Sequence, residues 1–371
     1  VTREPLPILL AAGGTGGHLF PAFALAEELG RRGQPVDLVT DMRGDRYGTG
    51  FPARAVHQLP SATPGSKRNP VALGRAGFTL LNGILKARAL LSTLRPAAVV
   101  GFGGYPTIPP LVAARLLGIP YIIHEQNAVL GRANRALAGH AAAVATSFRR
   151  TKRLDGPLAE KARFTGNPVR DAVIEAAGTP YPPLAPDGPL RLLVFGGSQG
   201  ARFFSEAVPP ALAALPEAIR RRLKLVQQAR PEDVEAVTAQ TAAAGIDAEI
   251  APFFKDLPRR MAESHLVVAR AGASSVAELA VIGRPSILVP LPHSLDSDQL
   301  ENATNLAESG GSWCIEQKDL SPLRLATELA RLFEHPEQLT AAAAKAKAQG
   351  QAGAVALLAD LVRDVAGKDR P

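Results

Sequence analysis

Three glycine-rich stretches carry the first chemical signal in this chain: GGTGGH at 13–18, GFGGY at 101–105 and GGSQGA at 196–201. A glycine loop between a buried strand and a helix brings backbone N–H groups and the positive end of a helix to one point, which suits phosphate. Each loop is also open to a plainer reading as a tight strand-to-helix turn. Polar side chains stand beside the loops. His18 follows the first at the start of a helical pattern, and His124-Glu125-Gln126-Asn127 closes a strand-like run. Open α/β sheets bind ligands at the carboxyl ends of their strands, so a His, a Glu and an Asn delivered there outline a polar pocket. Capping or packing competes with that reading for His18, and loop bracing competes with it for Glu125. In the second half, Arg270 to Glu278 again ends a strand and opens a helix. Ser274 and Ser275 are placed to cap it. Glu278 suits the two vicinal hydroxyls of a ribose, or else a capping box. Asp296, Gln299 and Asn302 lie three apart, a helical face that fits sugar hydroxyls and a solvated helix equally well.

The elements that must position these residues read as βαβ units. Apolar runs at 7–12, 35–40, 97–101 and 120–124 alternate with helical patterns at 19–32 and 108–117. Continuous apolar strands separated by helices mean a parallel sheet buried on both faces. The pattern restarts at 188: PLPILLAAGGTGGH (5–18) and GPLRLLVFGGSQGA (188–201) share one order of turn, strand, glycine loop and helix. Strand-like runs follow at 224–228, 248–253, 265–270 and 285–290. A chain of 371 residues is too long for one ordinary core and fits two domains. The expected division is an α/β pair of Rossmann-like halves over 1–168 and 169–335, joined in the Gly- and Pro-rich stretch 165–188, with closing helices over 336–371.

Composition excludes several classes. A single cysteine, Cys314, leaves no intramolecular disulfide framework and no Cys-rich zinc site. Neither a G-x-x-x-x-G-K-[ST] loop nor an HExxH or CxxC pair is present, so no metal and no cofactor is expected. Gly14-Thr15-Gly16 begins like a dinucleotide fingerprint, but Leu19 stands at its sixth position; Asp41 remains a mimic of the acidic ribose ligand. The net charge of +8 favours anionic partners. Aromatic residues are 5% and do not interleave with the basic runs, which sets nucleic acid aside. The apolar run after the basic start is short, and the stretch 96–114 holds Pro106, Pro109 and Pro110, so no spanning helix is expected. Residues 69–94 show two apolar stripes at helical spacing. Leu73, Leu80, Ile84 and Leu91 form a core stripe; Phe78, Leu81 and Leu85 form a second, flanked by Arg75, Lys86 and Arg88. The second fits either an interface with anionic lipid or a wider buried surface.

Seven stretches occur in order: GGTGGH (13–18), GFGGYPTIPP (101–110), HEQNAVLGRANR (124–135), TGNPVR (165–170), GGSQGA (196–201), RAGASSVAEL (270–279) and DSDQLENA (296–303). Together they resemble the MurG family of peptidoglycan glycosyltransferases over almost the whole chain. The resemblance implies a GT-B architecture, two Rossmann-like domains with parallel sheets facing a cleft. It implies inverting transfer of N-acetylglucosamine from UDP-GlcNAc to undecaprenyl-pyrophosphoryl-MurNAc-pentapeptide, lipid I to lipid II, by a peripheral enzyme on the cytoplasmic face of the membrane. Carried over by motif, Arg170 and Ser198 resemble donor-site residues, Phe254 the uracil-contacting backbone, and Ala273, Ser274, Ser275, Val276, Ala277 and Glu278 the helix start that holds nucleotide and ribose. Gln299 resembles the residue that reads the sugar. Thr15, Gly16, Gly17 and Asn127 resemble the contributions of the N-terminal half. Asp298, where the family usually has a neutral residue or His, puts a carboxylate beside Gln299.

Such a transfer needs a base for the acceptor hydroxyl and donors for the charge on departing UDP. His18, with a pKa near neutrality, suits the base; Glu125 is its competitor or its orienter. Backbone N–H groups and helix N-termini suit the leaving group. A UDP-GlcNAc 2-epimerase, a two-domain dehydrogenase and a non-catalytic UDP-sugar binder share parts of this pattern.

Overall fold

Strand β1 (Ile8–Ala11) is apolar and buried at every position, as a central parallel strand covered on both faces requires. The computed structural model describes residues 5–13, 16–41, 50–61, 70–196 and 201–368. From β1 the chain passes into α1 (Gly16–Arg31), β2 (Val36–Thr40), β3 (Ala55–Gln58), α2 (Pro70–Leu94) and β4 (Ala98–Gly101). It continues through α3 (Ile108–Leu116), β5 (Tyr121–Glu125), α4 (Arg132–Ala138), β6 (Ala143–Thr146) and β7 (Ala162–Phe164). All neighbouring strands pair in parallel in the order β3-β2-β1-β4-β5-β6-β7. The order reverses at β1 and β4, and His18 and the 101–105 glycines leave the sheet at the carboxyl ends of those two strands, the edge where such sheets bind ligands.

The second half repeats the plan. It holds α5 (Asp171–Ala177), β8 (Leu190–Phe195), α6 (Ala201–Ala213), α7 (Glu217–Arg220), β9 (Leu223–Gln228), α8 (Val234–Ala243) and β10 (Asp247–Ala251). Then come α9 (Leu257–Glu263), β11 (Leu266–Ala269), α10 (Ala273–Ile282), β12 (Ser286–Leu288), α11 (Asp298–Glu308), β13 (Ser312–Cys314), α12 (Pro322–Glu334) and α13 (Pro336–Gln349). Its sheet is again wholly parallel, in the order β10-β9-β8-β11-β12-β13. Four strands, β3, β6, β7 and β13, fall where no strand was expected.

The compact units are residues 1–170 with 352–371, and residues 171–351. The tail expected as one closing block over 336–371 therefore divides. Helix α13 packs on α10 in the second unit. Helix α14 (Ala354–Lys368) returns to the first, laying Leu358, Ala359, Val362 and Val365 into the core around β1 and α1. Arg32, just beyond α1, clasps it, donating to Asp360 at 2.5 Å and to the Ala356 carbonyl at 3.4 Å. An apolar stripe that one half leaves uncovered decides where such a helix docks.

The Pro-rich stretch leading into β8 is tied down within the second unit. The fully buried Arg284 guanidinium donates to the carbonyls of Thr179 and Pro180 on one side and of Ala262, Ile282 and Gly283 on the other. Burial holds its pKa down to about 10, so it stays charged at neutral pH. Carbonyl dipoles do the work of a counter-ion, since Arg can aim several donors from one plane.

Helix α2 packs on α3. A Cβ on Gly83 would run into the Pro60 carbonyl oxygen and lie 3.2 Å from Pro109 Cγ, so this close approach needs glycine. Ala87 and Leu91 continue the buried face. Of the expected core stripe, Leu91 is buried, Leu80 and Ile84 are half-buried, and the Leu73 side chain lies outside the described residues. Backbone proximity, not side-chain size, selects the inward face. Phe78, Leu81 and Leu85 are 74%, 55% and 57% exposed, so the reading of a wider buried surface does not hold for them.

Each unit also buries a histidine. Burial pushes His124 down to about 4; burial, helped by the nearby Arg191 charge, does the same to His265. Both are neutral in the fold and take up protons on unfolding near the ordinary value of 6.5. The unfolded chain then binds more protons than the native one below that value, so their contribution is full above about pH 6.5 and is lost as pH falls toward 4. The urea midpoint should therefore drop between about pH 7.5 and about pH 5.5, before most carboxylates titrate. A midpoint constant across that window would contradict the buried neutral histidines.

Candidate functional site

Side chains alternate along a strand, so β5 and its continuation send His124 and Gln126 to one face and Glu125 to the other. On the first face a connected chain of hydrogen bonds runs outward. His124 Nε2 lies 3.2 Å from the Gly166 carbonyl, and Gln126 Nε2 lies 2.9 Å from His124 Nδ1 and 3.0 Å from the His124 carbonyl. Gln126 Oε1 lies 3.1 Å from His18 Nδ1. His124 and Gln126 are buried, whereas His18, in the first turn of α1, is half-buried.

On the opposite face the buried Glu125 carboxylate accepts from the Asn127 N–H at 3.0 Å, the Asn127 amide at 3.4 Å, the Gly131 N–H at 2.9 Å and the Asn134 amide at 2.8 Å. Burial pushes its pKa up against the opposing pull of these donors. The arrangement holds loop 126–131 and α4 against the strand end. None of these bonds goes to His18, so the structure does not make Glu125 the orienter of that imidazole.

The 101–105 glycines serve His18 directly. Gly103 and Gly104 have φ of 89° and 75°, where side chains are strained. A Cβ on Gly103 would lie 3.3 Å from Asn134 Nδ2 and 3.4 Å from His18 Cε1; one on Gly104 would lie 3.4 Å from His18 Nε2. This stretch, read from sequence as a phosphate loop or a bare turn, runs beside the His18 ring. Phe102 is buried, with its ring 5.4 Å from that of His124. In the first loop Gly14 and Thr15 lie outside the described residues, Gly16 opens α1 and Gly17 is exposed. Gly13 is walled in, since a Cβ there would sit 3.0 Å from Asp41 Oδ1. Arg170 closes this unit with its guanidinium 4.8 Å over the ring of Phe20, two residues beyond His18.

In the second unit Ser198 lies outside the described residues. Just before it, the Gly196 N–H donates to Gln228 Oε1 at 3.3 Å, and Gln228 Nε2 donates to the Pro252 carbonyl at 3.1 Å. The Phe254 ring is buried, with the Arg260 guanidinium 4.5 Å above it. Its side chain is spent on packing, which leaves main chain for any ligand.

Helix α10 has Gly272 as N-cap with no side-chain capping bond, so Ser274 and Ser275 stand inside the first turn and do not cap it. Its first described intrahelical bond runs from Val276 N–H to the Gly272 carbonyl at 3.0 Å, so the N–H groups of Ala273, Ser274 and Ser275 precede the helical ladder. Ala277 and the buried Glu278 belong to the second turn, which removes the capping-box reading of Glu278 because that motif needs the third helical position. Arg270, its pKa held down to about 10 by burial, donates to the carbonyls of Val289 and Pro290 and to Gln317 Oε1.

Asp296, with φ of 57°, stands outside α11, so Asp296, Gln299 and Asn302 do not share a helical face. The buried Asn302 amide donates to the Ala271 carbonyl at 3.1 Å and braces the entry to α10. Asp298 Oδ1 accepts the Gln299 N–H at 2.7 Å, which commits that carboxylate to the helix terminus. Gln299 Oε1 accepts the Leu291 N–H at 3.0 Å, which fixes the amide with its Nε2 as the other, donating end. Among the described residues no group of three or more His, Cys, Asp or Glu is arranged to hold a metal ion. The sequence alone assigns no role to Gln126 or Asn134 and leaves Asn302 between a sugar contact and a solvated face. Strand alternation already separates Gln126 from Glu125; the Asn134 and Asn302 contacts bridge separate elements and leave no local signal.

The comparisons agree over almost the whole chain. The glycosyltransferase family 28 N-terminal domain matches residues 8–146 and the family's C-terminal domain residues 191–358. A protein of Rhizobium rhizogenes, named UDP-N-acetylglucosamine–N-acetylmuramyl-(pentapeptide) pyrophosphoryl-undecaprenol N-acetylglucosamine transferase, is 54% identical over 97% of this chain and 96% of its own. One of the same name from Sinorhizobium medicae is 55% identical over 97% and 95%. The crystal structure of Acinetobacter baumannii MurG superposes with a TM-score of 0.80 at 31% identity, covering 97% of this chain and all of that one. A UDP-GlcNAc 2-epimerase from Neisseria meningitidis shares the fold at 15% identity and a TM-score of 0.67, covering 96% of this chain and all of its own. Two Rossmann-like domains with parallel sheets are the GT-B architecture, and the chain belongs to glycosyltransferase family 28 and, within it, to the MurG family that its motifs resemble.

Proposed function

We propose that this chain transfers N-acetylglucosamine from UDP-GlcNAc to the C4 hydroxyl of MurNAc in undecaprenyl-pyrophosphoryl-MurNAc-pentapeptide, with inversion at the anomeric carbon. The observation that carries this reading is 54% identity, over 97% of the chain, to a transferase named for that reaction. The site chemistry is consistent with it. His18 takes the proton of the C4 hydroxyl as its oxygen attacks C1; the bond from C1 to the β-phosphate oxygen breaks, and UDP leaves with the electron pair. A half-buried imidazole on a fixed mount suits that proton transfer, which is worth about 10²–10⁴-fold in rate. Glu125 serves as the brace of the loop that carries Asn127.

Charge developing on UDP meets the backbone N–H groups that open α10 and the glycine loop containing Ser198, where helix dipoles favour an anion. Glu278 takes the ribose hydroxyls, the main chain at Phe254 the uracil, and Gln299 Nε2 an acceptor oxygen of the sugar. Thr15, Gly16, Gly17, Asn127 and Arg170 complete the donor contacts. Replacing His18 by Ala should lower kcat about 10²–10⁴-fold while UDP-GlcNAc still raises the melting temperature. Near-normal turnover would remove His18 as the base.

The lipid acceptor brings the enzyme to the cytoplasmic face of the membrane as a peripheral protein. Among the described residues no helix is long and apolar enough to cross a membrane. The exposed Phe78, Leu81 and Leu85 beside Arg75, Lys86 and Arg88 support contact with anionic lipid. Each apolar side chain is worth about 2 kcal/mol if fully withdrawn from water. The double substitution Phe78→Ser, Leu81→Ser should weaken binding to anionic vesicles roughly tenfold or more. Unchanged vesicle binding would defeat the assignment of this face.

A further inference from the structure

We propose that Gln126 is a positioning residue that holds the His18 imidazole in its Nδ1–H tautomer, so that Nε2 carries the lone pair that takes the acceptor proton. The inference rests on the reading of His18 as the base and adds to it which nitrogen acts and what makes it act. Neutral imidazole has two tautomers, and only one presents a basic nitrogen at a given edge.

The direction of the hydrogen-bond chain follows from its buried end. The Gly166 carbonyl can only accept, so His124 Nε2, 3.2 Å away, carries a proton. Burial keeps His124 neutral above about pH 4, so its Nδ1 carries a lone pair. The Gln126 group facing that lone pair at 2.9 Å must therefore donate, and an amide NH2 there also satisfies the His124 carbonyl at 3.0 Å. The reversed amide would set its oxygen against a lone pair and a carbonyl oxygen together, which fixes the orientation on physical grounds. Gln126 Oε1 is then left facing His18 Nδ1 at 3.1 Å; an amide oxygen accepts only, so Nδ1 must carry the proton. Nothing in this sequence of donors and acceptors can be inverted without opposing two acceptors inside the protein.

The flank of the ring also depends on glycine. A Cβ on Gly103 would lie 3.4 Å from His18 Cε1 and one on Gly104 3.4 Å from Cδ2 and Nε2, so a longer side chain at either position would crowd the imidazole. Glu125 takes no part, since its four hydrogen bonds lie on the other face of the strand end.

The test is the nitrogen spectrum of the full chain labelled with ¹⁵N-histidine, recorded without substrate at about pH 8, above the ordinary imidazole range. His18 is expected with Nδ1 protonated and Nε2 bare, and His124 with the reverse. Gln126→Met should give His18 a mixture of tautomers and lower kcat about ten- to a hundredfold, with the KM for UDP-GlcNAc changed less than about twofold. Gln126→Glu keeps an acceptor at His18 Nδ1 but turns its second oxygen toward the His124 lone pair, so a proton must be taken up between that oxygen and His124 Nδ1. His18 should retain the Nδ1–H tautomer while the His124 signals change. A wild-type His18 protonated on Nε2 overturns the proposal, whether or not Gln126→Met folds. So does Gln126→Met with both spectrum and kcat unchanged. Full activity in His18→Ala beside a wild-type Nδ1–H spectrum would remove the base reading and leave the tautomer assignment standing, so the two failures are separable.

Discussion

A carbonyl oxygen accepts and cannot donate, and at the carboxyl end of β5 that one-way rule reaches the surface of the first unit. The Gly166 carbonyl is set there by the sheet, because the Gly166 N–H itself donates to the Thr146 carbonyl at the end of β6. Two neighbouring parallel strands thereby fix the proton of His124, and through Gln126 the environment of His18. The parallel sheet is what makes this possible. Each strand ends at the same edge, so side chains from residues 18, 124 and 126 and a main-chain group from residue 166 meet there although the chain between them is long.

The two units share one strand order and use it differently. In the first, titratable and amide side chains crowd the sheet edge, and Gly103 and Gly104 leave room for an imidazole. The second offers main chain: the opening turn of α10, the loop after β8 and the segment after β10. Its polar side chains mainly hold that main chain in place. Asn302 braces the entry to α10, Gln299 and Asp298 brace the start of α11, and Arg284 ties the stretch before β8 to α9 and α10. A unit that presents backbone donors suits a diphosphate leaving group, and one that presents an oriented imidazole suits the hydroxyl that replaces it.

Much of this was legible in the residues, for reasons that also mark where legibility ends. Central strands such as Ile8–Ala11 and Leu266–Ala269 are buried on both faces, so their apolar runs announce themselves. Strands β3, β7 and β13 are short, half-exposed or polar, and β6 is two alanines, a valine and a threonine; pairing with a neighbour makes them strands, and pairing is not written locally. The inward face of α2 keeps Leu91 of the expected stripe but also runs through Gly83 and Ala87, because Gly83 admits a neighbouring backbone, a contact that hydrophobicity does not register. His18 and Glu125 stood out as chemical residues, whereas the neutral Gln126 between Glu125 and Asn127 did not. Its importance comes from a donor and an acceptor at opposite ends of one amide, which acquires meaning only when both partners are in place.

The central claim is that this fold joins a sugar to a lipid-linked acceptor with inversion at the transferred carbon. Incubation of the purified chain with labelled UDP-GlcNAc and a lipid I analogue tests it most directly, with the linkage of the product read by NMR. The account predicts one N-acetylglucosamine per acceptor, β-linked to the C4 oxygen of MurNAc, with release of UDP. An α-linked product, or consumption of UDP-GlcNAc with no label on the lipid, would contradict it.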